Sequence, residues 1–306
     1  MESIKKISLI IPCYDEQDVI KKTFDTIESV IDSLKKIEFE YIFIDDGSSD
    51  DTLKIIRSFK SNHIIRTISF SRNFGHQSAV AAGINICISD AAIIMDADLQ
   101  DPPYLIKDML KYFLDGYDVV YAVRAQRKGE SYFKKITAKI FYRFLNLLSD
   151  TKIPNDTGDF RLISKRVIIE FNKLNENDKY IRGLISWIGF KQKGLSYVRN
   201  ERFAGTTKYP LKKMIFFALN GLLSFSTRPL RIATYIGFIL SVLSFVSLAY
   251  VIYLRIFTEN WYPGWSAIMF SVLFIGSVQL ISIGILGEYI GKIHNQVKNR
   301  PNYIKK

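Results

Sequence analysis

The sequence predicts an α/β protein built on a mainly parallel sheet with flanking helices, followed by a C-terminal hairpin of two transmembrane helices. Three observations predict it: apolar runs of strand length alternate with helical periodicity, acids collect directly after those runs, and two uncharged stretches lie near the C-terminal end. The 306 residues are 48% hydrophobic with a net charge of +12, and the high apolar content together with only two cysteines excludes a disordered tail, a collagen-like repeat and a disulfide scaffold. Cys13 and Cys87 each lie in an apolar segment and read as small buried thiols of a reducing compartment.

The strand runs are Ile7–Ile11, Tyr41–Ile44, Ile64–Phe70 and Ala92–Met95, with helical periodicity over about 17–35, 50–60 and 76–88. Strand alternating with helix at this spacing means parallel strands joined by right-handed crossovers, and such sheets bind ligands beyond their carboxyl ends. Asp15 and Glu16 follow the first run, Asp45 and Asp46 the second, and Asp96 and Asp98 the fourth. Helix capping accounts for Asp50 or Asp51. In Met95–Asp101, alternation along an extended segment brings Asp96 and Asp98 to one side, where two carboxylates can hold a hard divalent cation. Ending a buried strand and followed by Pro102 and Pro103, this pair reads as a metal site. No GxGxxG, P-loop or HExxH is present, and His63, His76 and His294 are scattered and read as ordinary polar residues.

The uncharged stretches at 232–254 and 265–287 hold 23 residues each, and at about 1.5 Å per residue each makes a helix of roughly 34 Å, enough to cross a bilayer core. Trp261, Tyr262 and Trp265 in and after the short connection suit an interfacial belt. Lys208, Lys212, Lys213, Arg228 and Arg231 precede the pair, and Lys292, Lys298, Arg300, Lys305 and Lys306 follow it, so the positive-inside rule puts both termini in the cytoplasm. The first 17 residues lack the long apolar core and cleavage site of a signal peptide. The expected organisation is a cytosolic domain over 1–205, a juxtamembrane amphipathic segment over 206–231, the spans within 232–290, and a basic cytosolic tail over 291–306. Segments 130–148 and 211–220 mix apolar and basic residues at helical spacing, as interfacial helices do, packing on the sheet being the alternative. The basic excess faces anionic lipid or a phosphorylated substrate and requires no nucleic acid, whose binding modules are absent.

The strings Ser8–Glu16, Ile44–Thr52, Phe70–Gln77 and Met95–Pro103 resemble the successive motifs of family 2 glycosyltransferases with the GT-A fold. Asp156–Leu162, Arg182–Gly189 and Arg202–Tyr209, followed by two spans, are similar to the bactoprenol-phosphate (undecaprenyl-phosphate) glucosyltransferases, relatives of dolichol-phosphate mannose synthases. Asp15 stands where that family often has Asn, Tyr104 where Glu is usual and Thr207 where Ser is common. A processive polysaccharide synthase would add a QxxRW signature and more spans, and neither is here.

The resemblance implies that Pro12, Tyr14, Glu16, Asp45 and Asp46 surround the nucleotide, and that Asp96, Asp98 and Gln100 hold Mg²⁺ or Mn²⁺ on its diphosphate. Arg124, Lys134 or Lys135, and Arg202 fall where the family binds the acceptor phosphate. The implied reaction is inverting transfer of one hexose, glucose from UDP-glucose by the pattern around 156–161 and 204–209, to a polyprenyl phosphate at the membrane. GDP-mannose, GlcNAc or a modified arabinose are the alternatives for the donor, and a non-catalytic two-span protein is the remote one. Asp159 best matches the family's carboxylate base, with Asp156 second. A phosphate with a second pKa near 6 needs little deprotonation, so Asp159 orienting the acceptor or a sugar hydroxyl is the competing role. Gly276, Gly284 and Gly287 permit close helix contact, and a homo-oligomer is expected, a tetramer by resemblance.

Overall fold

A computed structural model of the chain describes residues 6–35, 37–126, 154, 157–177, 179–198, 228–257 and 264–306. The chain divides into two compact units, one carrying a sheet and one helical, with Arg300–Lys306 belonging to the sheet unit. Its strands are β1 (Lys6–Cys13), β2 (Glu38–Asp45), β3 (Ile64–Ser69), β4 (Ala91–Ile94), β5 (Val119–Gln126), β6 (Thr157–Ser164) and β7 (Gln192–Val198), in the spatial order β3-β2-β1-β4-β6-β5-β7. β1 runs parallel to β2 and β4, β2 to β3, and β5 to β7, while β6 runs antiparallel between β4 and β5. The four expected strands are present, each run lying inside its strand or overrunning it by one residue.

β1 is buried from Ile7 to Cys13, as a central strand covered on both faces must be, and this explains why it reads as a continuous apolar run. On one face, α1 (Ile20–Ile31) buries Ile20, Phe24, Ile27 and Ile31, spaced at four, three and four residues, against Leu9, Ile11, Tyr41 and Phe43. α4 (Leu105–Leu114) adds Ile106 and Met109 to the same core. α3 (His76–Ile86) packs against β1 and β2, and beside it lies α5 (Lys165–Lys173), capped by Ser164, whose Oγ accepts from Val167 N at 3.4 Å. Cys13 and Cys87 are buried free thiols, as expected.

Order along the sheet sets where a ligand can enter. The chain winds from β1 outward through β2 to β3, then returns to place β4 on the other side of β1. The turnaround between β1 and β4 is the topological switch point, and the loops leaving the two strands diverge there to leave a crevice. β1 runs on three residues past its last register partner in β4, which is Ile94 opposite Ile10.

The helical unit holds α7 (Arg228–Phe257) and α8 (Trp265–Val297), longer than the 232–254 and 265–287 of the sequence reading. Phe238, Phe245, Phe270 and Leu280 are all exposed, and the most apolar windows of both helices have no buried residue. A core helix would bury a face, so these apolar helices need a hydrocarbon solvent, and the chain is membrane-associated. Trp261 and Tyr262 lie outside the described residues, as do segments 130–148 and 211–220.

Gly47, just after β2, has φ +70°, and a Cβ there would stand 2.4 Å from the carbonyl carbon of Arg72. Alanine would have to adopt a left-handed backbone and also push the 71–75 loop away. Gly47→Ala should therefore cost about 2–4 kcal/mol and lower the thermal midpoint of the purified protein by roughly 5–10 °C, read by thermal unfolding in detergent beside wild type.

Candidate active site

The acidic loops at the carboxyl edge are first of all stitched to one another. Asp15, with φ 50°, donates its N–H to Ser48 Oγ at 3.1 Å and accepts from Ser49 N at 2.8 Å. Glu16 N donates to Thr52 Oγ1 at 2.8 Å, and Asp50 accepts from Gln17 N and from Thr52 N, holding the start of α2 (Thr52–Ser58). Asp45 is buried, accepting from Ser48 N at 3.1 Å and Ser69 Oγ at 2.7 Å. Asp46 accepts from Phe74 N at 2.7 Å and Gly75 N at 2.9 Å, and its burial pushes its pKa up. These two carboxylates therefore build the wall of the crevice by fixing the 69–75 segment onto the end of β2. Pro12 is buried in β1, while Tyr14 is 36% exposed at the rim, where the neighbouring Asp15 raises its pKa.

After β4 the chain alternates as expected: Met95 and Ala97 are buried, Asp96 and Asp98 partly exposed. Asp98 Oδ1 accepts from Gln100 N at 3.2 Å across Leu99, which has φ 54°, so the segment turns sharply within reach of Asp96. Asp96 Oδ1 is buried with no hydrogen-bond partner among the described residues. Burial, opposed by His76 and reinforced by Asp101, Asp159 and Asp98, pushes the Asp96 pKa up to about 6. A buried carboxylate oxygen lacking a donor, among other carboxylates, is the electrostatic signature of a place for a hard cation, and the oxygen donors of Asp96, Asp98 and Gln100 fit Mg²⁺ or Mn²⁺.

Asp159, on β6, is nearly saturated. Arg182 Nε donates to Oδ1 at 2.8 Å and Arg182 Nη2 to Oδ2 at 3.1 Å, while His76 Nε2 at 3.0 Å and Gln77 Nε2 at 3.2 Å also donate to Oδ2. Burial opposes ionisation, but Arg182 and His76 outweigh it and hold the carboxyl well below the usual range. His76 Nε2 also lies 3.5 Å from Asp96 Oδ1, and although burial disfavours its charge, Asp96 and Asp159 push its pKa up to about 9. Gln77 Oε1 accepts from Ile181 N at 2.9 Å, tying the start of α3 to the start of α6 (Ile181–Ile188) next to Arg182. Arg161, two residues along β6, is buried, donates to Gly158 O at 2.9 Å, and is drawn down to about 10 by burial despite Asp159.

A second polar group flanks the acidic turn. Tyr197 donates to buried Asp101 Oδ1, and Arg124 Nε reaches Tyr197 Oη at 3.4 Å. Burial opposes the Arg124 charge, but Asp101 raises its pKa. A Cβ on Gly158 would sit 2.8 Å from Arg124 Nη2 and 3.6 Å from Asp101 Oδ2, so glycine is what lets this guanidinium lie over β6. Asp156, Lys134, Lys135 and Arg202 lie outside the described residues.

The sequence reading of His76 as an ordinary polar residue is corrected: it stands between Asp96 and Asp159. Gln77, Arg182, Asp101 and Tyr197 are further members of the site that the sequence does not single out. The available signal is Asp159 itself, since a carboxylate on a buried strand demands cationic partners from elsewhere in the chain.

A mainly parallel sheet with carboxylates gathered at its switch point, followed by two long apolar helices, is the frame of a membrane-associated α/β protein, and the family matches make it a glycosyltransferase. The chain belongs to glycosyl transferase family 2, whose profile matches residues 8–171, and the profile of the GtrB C-terminal hairpin matches residues 228–293. The uncharacterised glycosyltransferase YkcC of Bacillus subtilis is 45% identical, over 97% of this chain and 92% of that one. The SfII prophage-derived bactoprenol glucosyl transferase of Shigella flexneri is 41% identical, over 98% of this chain and 97% of that one. The prophage bactoprenol glucosyl transferase homolog of Escherichia coli is 40% identical, over 98% of each.

With no metal present, the raised His76 pKa makes a stability prediction. A histidine raised in the folded state stabilises it fully below its unfolded value of 6.5 and loses that contribution as pH climbs through about 9. In EDTA, the thermal midpoint of the purified protein should fall across this window, and His76→Gln should flatten the fall. Parallel curves for the two proteins would contradict the His76 pairing.

Proposed function

We propose that this enzyme transfers one glucose from UDP-glucose, with inversion, to the phosphate of a polyprenyl lipid at the cytosolic face of the membrane. The observation that carries the reading is the near-full-length likeness to bactoprenol glucosyl transferases in a chain whose carboxylates converge at the β1/β4 crevice. Pro12, Tyr14, Glu16, Asp45 and Asp46 edge the nucleotide, and Asp96, Asp98 and Gln100 hold Mg²⁺ or Mn²⁺ at its diphosphate. When bound, that cation supplies charge stabilisation for the departing nucleoside diphosphate. The positive charges on both flanks of the spans support cytoplasmic termini, and on this reading the catalytic unit shares the cytosolic side with the lipid phosphate.

The acceptor phosphate oxygen forms the new bond to C1 of the sugar as the C1–O bond to UDP breaks on the opposite face. With its second pKa near 6, the phosphate monoester arrives mostly dianionic, and the pair of electrons it donates needs no proton removed first. Asp159, ionised and held by four donors, serves as a fixed acceptor that orients a sugar hydroxyl or the 182 guanidinium toward the reacting groups. Arg124, Lys134, Lys135 and Arg202 are the basic residues assigned to the acceptor phosphate, Arg124 acting from its seat beside Asp101.

Membranes carrying the enzyme should consume UDP-glucose and label polyprenyl phosphate. Asp98→Asn should abolish that labelling while the protein stays folded and inserted, and EDTA should do so reversibly, activity returning with Mg²⁺ or Mn²⁺. Consumption of GDP-mannose or UDP-GlcNAc instead would overturn the sugar assignment. Full activity in Asp98→Asn or in EDTA would overturn the metal site.

A further inference from the structure

The edge strand β3 does not end the sheet at its carboxyl end. Beyond Ser69 the last residues of the chain lie alongside it: Phe70 and Lys305 form an antiparallel bridge, Ser71 N donates to Ile304 O at 2.9 Å, and Lys306 N donates to Ser69 O at 2.9 Å. The Tyr303 ring stacks on Phe70, with centroids 4.7 Å apart and planes 16° from parallel, and Phe74 closes on Phe70 edge-on at 5.8 Å. Phe70 is thereby 1% exposed at the edge of a sheet.

The segment the tail holds is the one that shapes the crevice. On its inner side, Phe70 N donates to Asp45 O at 2.9 Å, Ser69 Oγ reaches Asp45 Oδ2, and Phe74 N and Gly75 N hold both oxygens of Asp46. One residue further, His76 begins α3 and bonds Asp159. Residues 69–76 thus lie between the carboxylates of β2 and the tail, and only the tail side lacks a continuous strand behind it. An edge strand offers free backbone groups to whatever extended segment reaches it, and here the chain's own terminus uses them at the one stretch where displacement would move Asp46 and His76 together.

We propose that the C-terminal tail is a strap that sets the donor side of the active site, with Tyr303 as a positioning residue acting through Phe70 on the 69–76 segment. The proposal rests on the reading that Asp45 and Asp46 edge the nucleotide. It gives the basic tail a reason to return to the sheet: the aromatic stack and two backbone bonds hold the outer side of the 69–76 segment, whose inner side Asp45 and Asp46 hold.

The test compares three variants of the full-length enzyme in nanodiscs with wild type: a chain ending at Arg300, Tyr303→Ala and Tyr303→Phe. Loss of the stack should raise KM for the nucleotide sugar by about five- to twentyfold in the first two variants, with KM for the lipid phosphate within about twofold, while Tyr303→Phe keeps wild-type values. Amide hydrogen exchange needs no substrate, so it tests the strap even if the donor is another nucleotide sugar. Amides 70–76 should exchange faster in the cut chain while those of β1 keep their protection. Unchanged exchange at 70–76, or loss of protection spread equally into β1, would overturn the strap. So would a Tyr303→Phe enzyme as impaired as Tyr303→Ala.

Discussion

The site depends on keeping one buried carboxylate charged. Asp159 lies on a strand whose residues are buried throughout, where an unpaired charge would cost several kcal/mol. Its four donors come from two elements distant in sequence: His76 Nε2 and Gln77 Nε2 from the start of α3, and Arg182 Nε and Nη2 from the start of α6. Satisfying that charge therefore fixes where two helices begin relative to the sheet. His76, held this way, also carries positive charge to within 3.5 Å of Asp96. The carboxylates at 96, 98, 101 and 159 repel one another, and His76, Arg182 and Arg124 are the cations set among them.

The same pairing decides what Asp159 is suited to do. A general base works best with a pKa near the operating pH, whereas partners that donate to every oxygen of a carboxylate stabilise its charged form and drive its pKa the other way. Such a group holds geometry well and holds a proton badly. An acceptor that arrives already ionised suits this arrangement, because the chemistry then needs orientation and charge stabilisation rather than proton transfer. Asp96 is the complement: its oxygen lacks a donor and its pKa is raised, which is the condition a cation relieves.

Much of this was legible in the sequence because it is local. β1, β2 and β4 read as continuous apolar runs since they are covered on both faces, and the acids follow them because the carboxyl edge is where such a sheet opens. The Asp96/Asp98 alternation follows from extended backbone alone. What is absent from the sequence is pairing between distant residues. Nothing local distinguishes His76 from His63, and Arg182 lies 23 residues from the carboxylate it holds. The resemblance implies that Asp45 and Asp46 surround the nucleotide, and the structure shows their oxygens accepting backbone N–H groups as well, a use that only the loop conformations reveal. The docking of the tail is hidden for a related reason: Lys305 and Lys306 carry the basic character that the sequence shows, while the contacts that dock the tail are a ring stack and backbone bonds indifferent to side-chain charge.

The pH dependence of turnover by Asp159→Asn beside wild type, at saturating lipid phosphate and nucleotide sugar, tests the central claim most directly. If Asp159 is a permanently ionised orienting group, the deficit stays nearly constant between about pH 6.5 and 8.5, since the acceptor supplies its own charge throughout. A deficit of about 10² to 10⁴ that shrinks steeply as pH rises would identify Asp159 as a proton acceptor and contradict the account.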